Sequence, residues 1–231
     1  MNSPQAHTLD HRNELSSLFL AGDGIEIGAL HEPLPVPLGV RVRYVDRLTK
    51  PMLREHYPEL ASLPLVDVDI VDDGETLASV ADGSLDFIIA NHMLEHCENP
   101  LGAVRTHFRK IKPGGVLYYA VPDKRFTFDA DRPLTTTGHF IADDTLGPQI
   151  SRAGHFDEWT RLVEKMTDPA AAQKAAERLD AINYSIHFHV WDFESFMYFV
   201  DLVRERNTAL EFDWSHIGLH GLEIVSIFTK R

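Results

Sequence analysis

Residues 85–90 read Leu85-Asp86-Phe87-Ile88-Ile89-Ala90, a run with one charge and no alternation of apolar and polar side chains. A strand with one wet face alternates, whereas a strand covered on both faces does not. This run therefore belongs in the middle of a sheet with helices on either side. Upstream, Gly24-Ile25-Glu26-Ile27-Gly28 reads as a short strand entering a glycine turn. Val40 to Val45 is a second strand ending at Asp46, and Val66 to Ile70 a third, followed by Val71-Asp72-Asp73-Gly74. Met52 to Leu60 has helical character, and Leu15, Leu18 and Phe19 recur at helical spacing before Gly22. Downstream, Pro100 to Ile111 is an amphipathic helix stopped by Pro113-Gly114-Gly115, and Val116 to Val121 is a fifth strand closed by Pro122. Alternating strands and helices build parallel βαβ units.

After Pro122 the alternation breaks. Residues 123–185 hold polar loops and helical segments, among them an Ala-rich helix opened by Asp168-Pro169. A stretch that long without structure of its own is uncommon, so it is expected to fold as a helical cap. The pattern resumes with a helix from Trp191 through Val203, a strand near Leu210 to Phe212 and a last strand at Leu222 to Phe228. The expectation is a single α/β domain over residues 1–231. Its Rossmann-like, seven-stranded, mostly parallel sheet carries helices on both faces, with the core at about 22–122 and 186–231 and the cap, about 123–185, inserted after the fifth strand.

Composition narrows the function. At 231 residues, with 44% hydrophobic and 25% charged side chains, the chain is of ordinary globular make-up. Twenty-two Lys and Arg against 35 Asp and Glu give a net charge of −13, which opposes a nucleic-acid partner. The lone Cys97 excludes an internal disulfide and suits a reducing compartment. No apolar run approaches the roughly 18 residues that span a bilayer. The start of the chain lacks the basic and apolar blocks of a signal peptide. A cytoplasmic protein without a membrane partner is expected.

In such a sheet, ligands bind beyond the carboxyl ends of the strands, where strand order reverses. The first such loop is Glu26-Ile27-Gly28-Ala29-Leu30-His31. A pyrophosphate site would want G-x-G-x-x-G, yet Glu26 stands where the leading glycine would be. A carboxylate repels a pyrophosphate and attracts a ligand ammonium, so the loop suits a zwitterion; the plain alternative is an ordinary strand-to-helix turn. Asp46 ends the second strand, where a carboxylate can accept two hydrogen bonds from a ribose diol. Asp72 or Asp73 after the third strand can accept from an adenine amine, the other serving as a turn residue.

Together these residues resemble the class I S-adenosylmethionine-dependent methyltransferases, over about Gly24 to Pro122. The likeness also rests on Asp73-Gly74-Glu75, on Leu85 through His92, on Leu94-Glu95-His96 and on Ile111-Lys112-Pro113-Gly114-Gly115-Val116-Leu117. The resemblance implies S-adenosyl-L-methionine as cofactor. It puts Glu26 and Gly28 at the methionine end, Asp46 on the ribose, Asp73 at the adenine amine and Asn91 beside the sulfonium. The family usually has a small residue or glycine where Leu30 stands, which leaves the shape of the first loop open. The segments Val121 to Asp129, Thr135 to Asp144 and His187 to Trp191 further resemble bacterial methyltransferases of polysaccharide or glycan assembly.

Methyl transfer to a hydroxyl needs a base, and histidine is the usual one near neutral pH. The insertion and its border offer His139, His155, His187 and His189, and His139 is the first choice. Asp143, four residues on, would orient its ring if the segment is helical, the plain alternative being a surface His–Asp pair. His187 and His189 share a face only in a strand. A divalent cation such as Mg2+ would draw on His139, Asp143, Asp144 or the His187/His189 pair. Lys124, Arg125 and Arg132 among Phe126 and Phe128 would hold an anionic or sugar group, or else the two arginines would pair with Asp129 and Asp131 to anchor the insertion. The reading is an O-methyltransferase acting on a sugar or glycan-precursor hydroxyl, with a small-molecule or oligosaccharide substrate. The alternatives are a small-molecule C- or N-methyltransferase and a non-catalytic cofactor-binding pseudo-enzyme. A nicotinamide-dependent reductase would need G-x-G-x-x-G and Tyr-x-x-x-Lys, and the chain shows neither.

Overall fold

A computed structural model describes the backbone of residues 4–231. Its sheet has seven strands in the order β3-β2-β1-β4-β5-β7-β6. They are β1 (Asp23–Ile27), β2 (Arg41–Asp46), β3 (Ile70–Val71), β4 (Leu85–Asn91), β5 (Ile111–Pro122), β6 (Phe212–His220) and β7 (Glu223–Lys230). Strands β1 to β5 are mutually parallel where they pair, and β7 runs antiparallel to both β5 and β6.

The unalternating run of β4 is buried on both faces, as its composition requires. Ile88 and Ala90 pack into one core with α3 (Pro100–Lys110) and α7 (Phe193–Arg206). Phe87 and Ile89 face the other way, against Leu15 of α1 (Pro4–Phe19), Leu20 and Tyr118. The one charge in the run, Asp86, sits at the strand's start and pairs with Lys112 at 2.6 Å. Gly24 lets β1 lie this close to β4, because a methyl group there would overlap the ring and carbonyl of Phe87.

Local signals set the helix ends. Asn99 caps α3 by accepting from the Gly102 N–H at 2.9 Å, and Pro100 opens its first turn. Asp192 and Ser195 form a reciprocal capping box at α7. Between β5 and α7 lie α4 (Thr137–Leu146), α5 (Arg152–Leu162) and α6 (Pro169–Ala181), the last started by Asp168. Among the described residues no helix is long and apolar enough to cross a membrane.

Several elements differ from their expected bounds. Strand β3 shrinks to two residues because Asp69 Oδ2 accepts from the Tyr44 N–H at 2.8 Å, taking a place that a ladder carbonyl would fill. Helix α2 (Lys50–His56) stops before Pro58, which opens a separate 3-10 turn. Strand β6 extends to His220 by pairing along its whole length with β7. Leu18, expected on the buried face of the first helix, is exposed.

Replacing Gly24 by alanine forces β1 and β4 apart. Overpacking of this kind costs about 1–3 kcal/mol, so Gly24→Ala is expected to lower the urea midpoint at unchanged slope. An unaltered midpoint contradicts the close approach.

Candidate active site

The connections after β1 and β4 leave the sheet on opposite sides, and a cleft of about 380 Å3 opens there. Gly28, Asp46 and Asp73, from the ends of three different strands, all line it. Gly28 has a φ of +68° and no atom within 4 Å of where a side chain would begin, so a ligand can approach its backbone. Leu30 turns the loop without a glycine: it adopts a φ of +50° and packs with Leu53 and Leu60. Burial pushes the Asp46 carboxyl up, against the Leu48 N–H that its Oδ1 accepts at 3.2 Å.

The two candidate aspartates after β3 separate cleanly. Asp72 accepts from the Ser79 N–H and hydroxyl at 2.8 and 2.6 Å and caps a turn. Asp73 lines the cleft while its Oδ1 accepts from the Glu75 and Thr76 N–H groups at 2.9 and 3.0 Å.

Glu26 and Asn91 are not among the residues lining the cleft. Glu26 is buried beneath the loop, where its two oxygens receive the Leu34 N–H at 2.9 and 3.1 Å. Desolvation lifts its carboxyl to about 7 despite that bond and the nearby Arg12. It pins the loop from below. Asn91 ends β4 with both amide atoms buried and without a partner, a state that native structures rarely tolerate unless something binds there.

Histidines form the opposite wall. His92 and His96, which the sequence offers as residues closing the turn into the next helix, line the cleft. His92 takes a φ of +49° and lies between Glu95 at 3.4 Å and Glu223 at 2.7 Å. Burial works against its charged form, but the two glutamates overcome it and raise the ring from 6.5 to about 9. Glu223 is also gripped by Arg12, so the pairing ties α1 to β7 and to the end of β4. Burial and the neighbouring His187 push His96 down to about 4, keeping it neutral. Its Nδ1 meets the Ile186 carbonyl at 2.9 Å and the Ser185 hydroxyl at 3.0 Å. The Glu95 carboxylate beside it is fully buried, and neither oxygen has a hydrogen-bond partner. Glu75, also in the wall, receives the Glu98 and Asn99 N–H groups at 2.7 and 3.1 Å; desolvation lifts it to about 7.

His139 and Asp143 meet as their spacing predicts, at 3.1 Å on α4. Neither lines the cleft. They converge instead with His155 and His189, whose rings are held neutral by burial, His155 at about 3 and His189 well below its ordinary value. His187 and His189 do not share a site: His187 pairs with Asp129 at 2.6 Å and groups with Glu95 and His96. Asp144 is committed to Arg105 and Arg206. The basic residues after β5 anchor the insertion. Arg125 pairs with Asp123 at 2.6 Å, and buried Arg132 pairs with Asp129 and Glu158 at 2.8 and 2.7 Å. Lys124 donates to the Arg132 carbonyl, and it is Lys165 that pairs with Asp131, at 2.5 Å.

A larger groove, about 860 Å3, lies along α3 beside Arg105, Arg109, Arg206 and Lys230. Those cations are engaged with Asp144, Asp82 and the carbonyls of Phe108 and Ile111, and the groove holds none of the strand-end residues just described.

Residues 13–189 match the family model described as "Methyltransferase domain". Nothing among the curated proteins matches. Of solved structures, the chain is similar to a SAM-dependent methyltransferase from Thermotoga maritima, at 17% identity over 98% of this chain and 94% of that chain, TM-score 0.48. It is also similar to a SAM dependent methyltransferase from Aquifex aeolicus, at 11% identity over 100% and 99%, TM-score 0.49. A Rhodobacter sphaeroides protein named "Putative Zn-dependent Alcohol Dehydrogenases" is similar at 14% identity over 96% and 90%, TM-score 0.54. At such identity that last likeness is one of fold alone.

The His92 pairing has a defined pH signature. A free histidine loses its proton near 6.5, and the folded ring keeps it to about 9. The stabilisation is therefore complete below pH 6.5 and is lost as pH rises through 9. The ring is 43% exposed, so the effect is discounted for solvent to about 1 kcal/mol. The stability gap between wild type and His92→Ala, measured by denaturant titration, should narrow from pH 6.5 to 9.5; a constant gap contradicts the pairing.

Proposed function

This chain belongs to the methyltransferase-domain family, and from that premise we propose that the cleft binds S-adenosylmethionine and that the acceptor is a hydroxyl of a sugar or glycan precursor. One observation carries the reading: Gly28, Asp46 and Asp73, which the chain keeps on three separate strands, line a single cleft at the switch between β1 and β4. Its volume is that of a small-molecule site.

Asp46 accepts the ribose hydroxyls and Asp73 the adenine amine, two groups that a carboxylate serves as acceptor. Gly28 leaves the backbone open to the methionine end, and Glu26 acts from beneath by holding the loop to the Leu34 N–H. Asn91, with an unpaired buried amide at the end of β4, is assigned to the sulfonium side. Bound there, S-adenosylmethionine supplies an electrophilic methyl group.

The acceptor side is built from Tyr57, Asn183, Tyr184, Ser185, Glu98 and Phe188. Polar groups interleaved with aromatic faces match a sugar, which presents hydroxyls at its rim and C–H bonds on its faces. The proton acceptor is assigned to His96 rather than His139, because His96 lines the cleft and the His139 Nε2 is turned to Asp143 and His155. With Nδ1–H donated to Ile186, Nε2 of His96 carries the lone pair. A low pKa makes the ring a weak base at rest. The buried Glu95 carboxylate, within 4.8 Å, stabilises the imidazolium as it forms.

Methyl-labelled S-adenosylmethionine, offered with a panel of monosaccharides, nucleotide sugars and oligosaccharides, tests this. Label should appear on an acceptor hydroxyl, and His96→Ala should lower kcat by about 10²–10⁴-fold at unchanged S-adenosylhomocysteine affinity. Label confined to carbon or nitrogen acceptors contradicts the acceptor assignment, and full turnover by His96→Ala contradicts the base.

A further inference from the structure

The four groups gathered by His139 have a use that the methyl-transfer reading does not need. His139 and Asp143 come from α4, His155 from α5, and His189 from the segment leading to α7, and one ligand atom of each lies within 4.8 Å of all the others. The His139 and His155 Nε2 atoms are 3.0 Å apart. Asp143 Oδ2 is 3.1 Å from His139 Nε2 and 3.8 Å from His189 Nε2.

The His139–His155 contact is within hydrogen-bond reach, but hydrogen bonding does not account for the two contacts of Asp143 Oδ2. Asp143 Oδ2 is buried and has no hydrogen-bond partner although an imidazole nitrogen stands 3.1 Å away, and the His189 Nε2 has only a long contact, 3.4 Å, to the Glu98 carbonyl. Zinc–ligand bonds of about 2.0–2.1 Å place neighbouring corners of a tetrahedron roughly 3.3–3.4 Å apart. The observed separations of 3.0, 3.1 and 3.8 Å straddle that value. The other carboxylate oxygen, Oδ1, accepts from the Ser151 hydroxyl at 2.6 Å, the kind of outer bond that orients a metal-binding carboxylate.

We infer that His139, Asp143, His155 and His189 form a four-coordinate site for a divalent transition metal, zinc by the chemistry of its ligands. Three imidazoles and one carboxylate suit zinc and not Mg2+, which wants an octahedron of oxygens. Four protein ligands leave no open corner, so the ion is a staple and not a Lewis acid in the reaction. It clamps α4 and α5 to the segment whose Phe188 and His189 N–H groups donate to the Glu95 carbonyl at 2.7 and 3.2 Å, directly behind the cleft wall. The His139 side chain is 33% exposed, which gives the ion a way in.

The test uses untagged full-length protein, first analysed for bound metal, then stripped with a chelator and titrated with Zn2+ and with Co2+. About one zinc per chain, a visible spectrum of tetrahedral Co2+ and a melting temperature that rises with Zn2+ are expected. Ser151→Ala should weaken Zn2+ binding about 10- to 100-fold, and His155→Ala should lose the Co2+ spectrum. Should His155→Ala fail to fold, the wild-type Co2+ spectrum and the Ser151→Ala affinity decide. Stripped wild type that gives no tetrahedral Co2+ spectrum and melts alike with and without Zn2+ overturns the site, whether or not methyl transfer is found. Wild-type Zn2+ affinity in Ser151→Ala overturns it as well.

Discussion

The two connections that leave the sheet on opposite sides, after β1 and after β4, are the constraint from which the rest follows. Helices packed on both faces force the chain to part there, and the parting leaves a crevice at the carboxyl edge. Backbone groups at strand ends have no ladder partner, so the residues at that edge supply bonds through their side chains. Asp73 receives the N–H groups of its own turn, Glu75 those of Glu98 and Asn99, and Glu26 that of Leu34. The acidic edge is thus first a way of closing loops, and in the proposed function it serves second as a ligand site.

That double duty shapes the electrostatics. Glu26 and Glu75 are held near 7 because burial costs them more than their N–H partners return. On the other side His92 is kept charged by Glu95 and Glu223, whereas His96, four residues on, is kept neutral. One charged and one neutral imidazole in the same wall divide the work: the first carries structure, and the second retains a free lone pair. Glu95 serves both rings.

Much of this was legible in the residues, and the failures have physical causes. The unalternating β4, the glycine turn after β1 and the proline stops around α3 and β5 are local signals, and the corresponding elements form. Gly28, Asp46 and Asp73 could be placed because the end of a parallel strand is itself a position in space. Strand β3 was misjudged because a side chain, Asp69, replaced a ladder acceptor. His92 reads in the sequence only as a turn residue, because its partner Glu223 is 131 positions away. His187 and His189 would share a face only in a strand, and the segment is not a regular strand, so the two rings fall in different clusters. Helical spacing did bring His139 to Asp143, but nothing local announced that His155 and His189 would join them.

The most direct test of the account is calorimetric titration of the full-length protein with S-adenosylhomocysteine, for wild type and for Asp46→Ala. Micromolar binding is expected for wild type. A hydrogen bond to a charged group is worth about 1.5–3 kcal/mol, so the variant should bind about 10- to 100-fold more weakly at an unchanged melting temperature. Failure of the wild type to bind, or equal affinity in the variant, would contradict a nucleoside-binding cleft at the ends of β1 and β2.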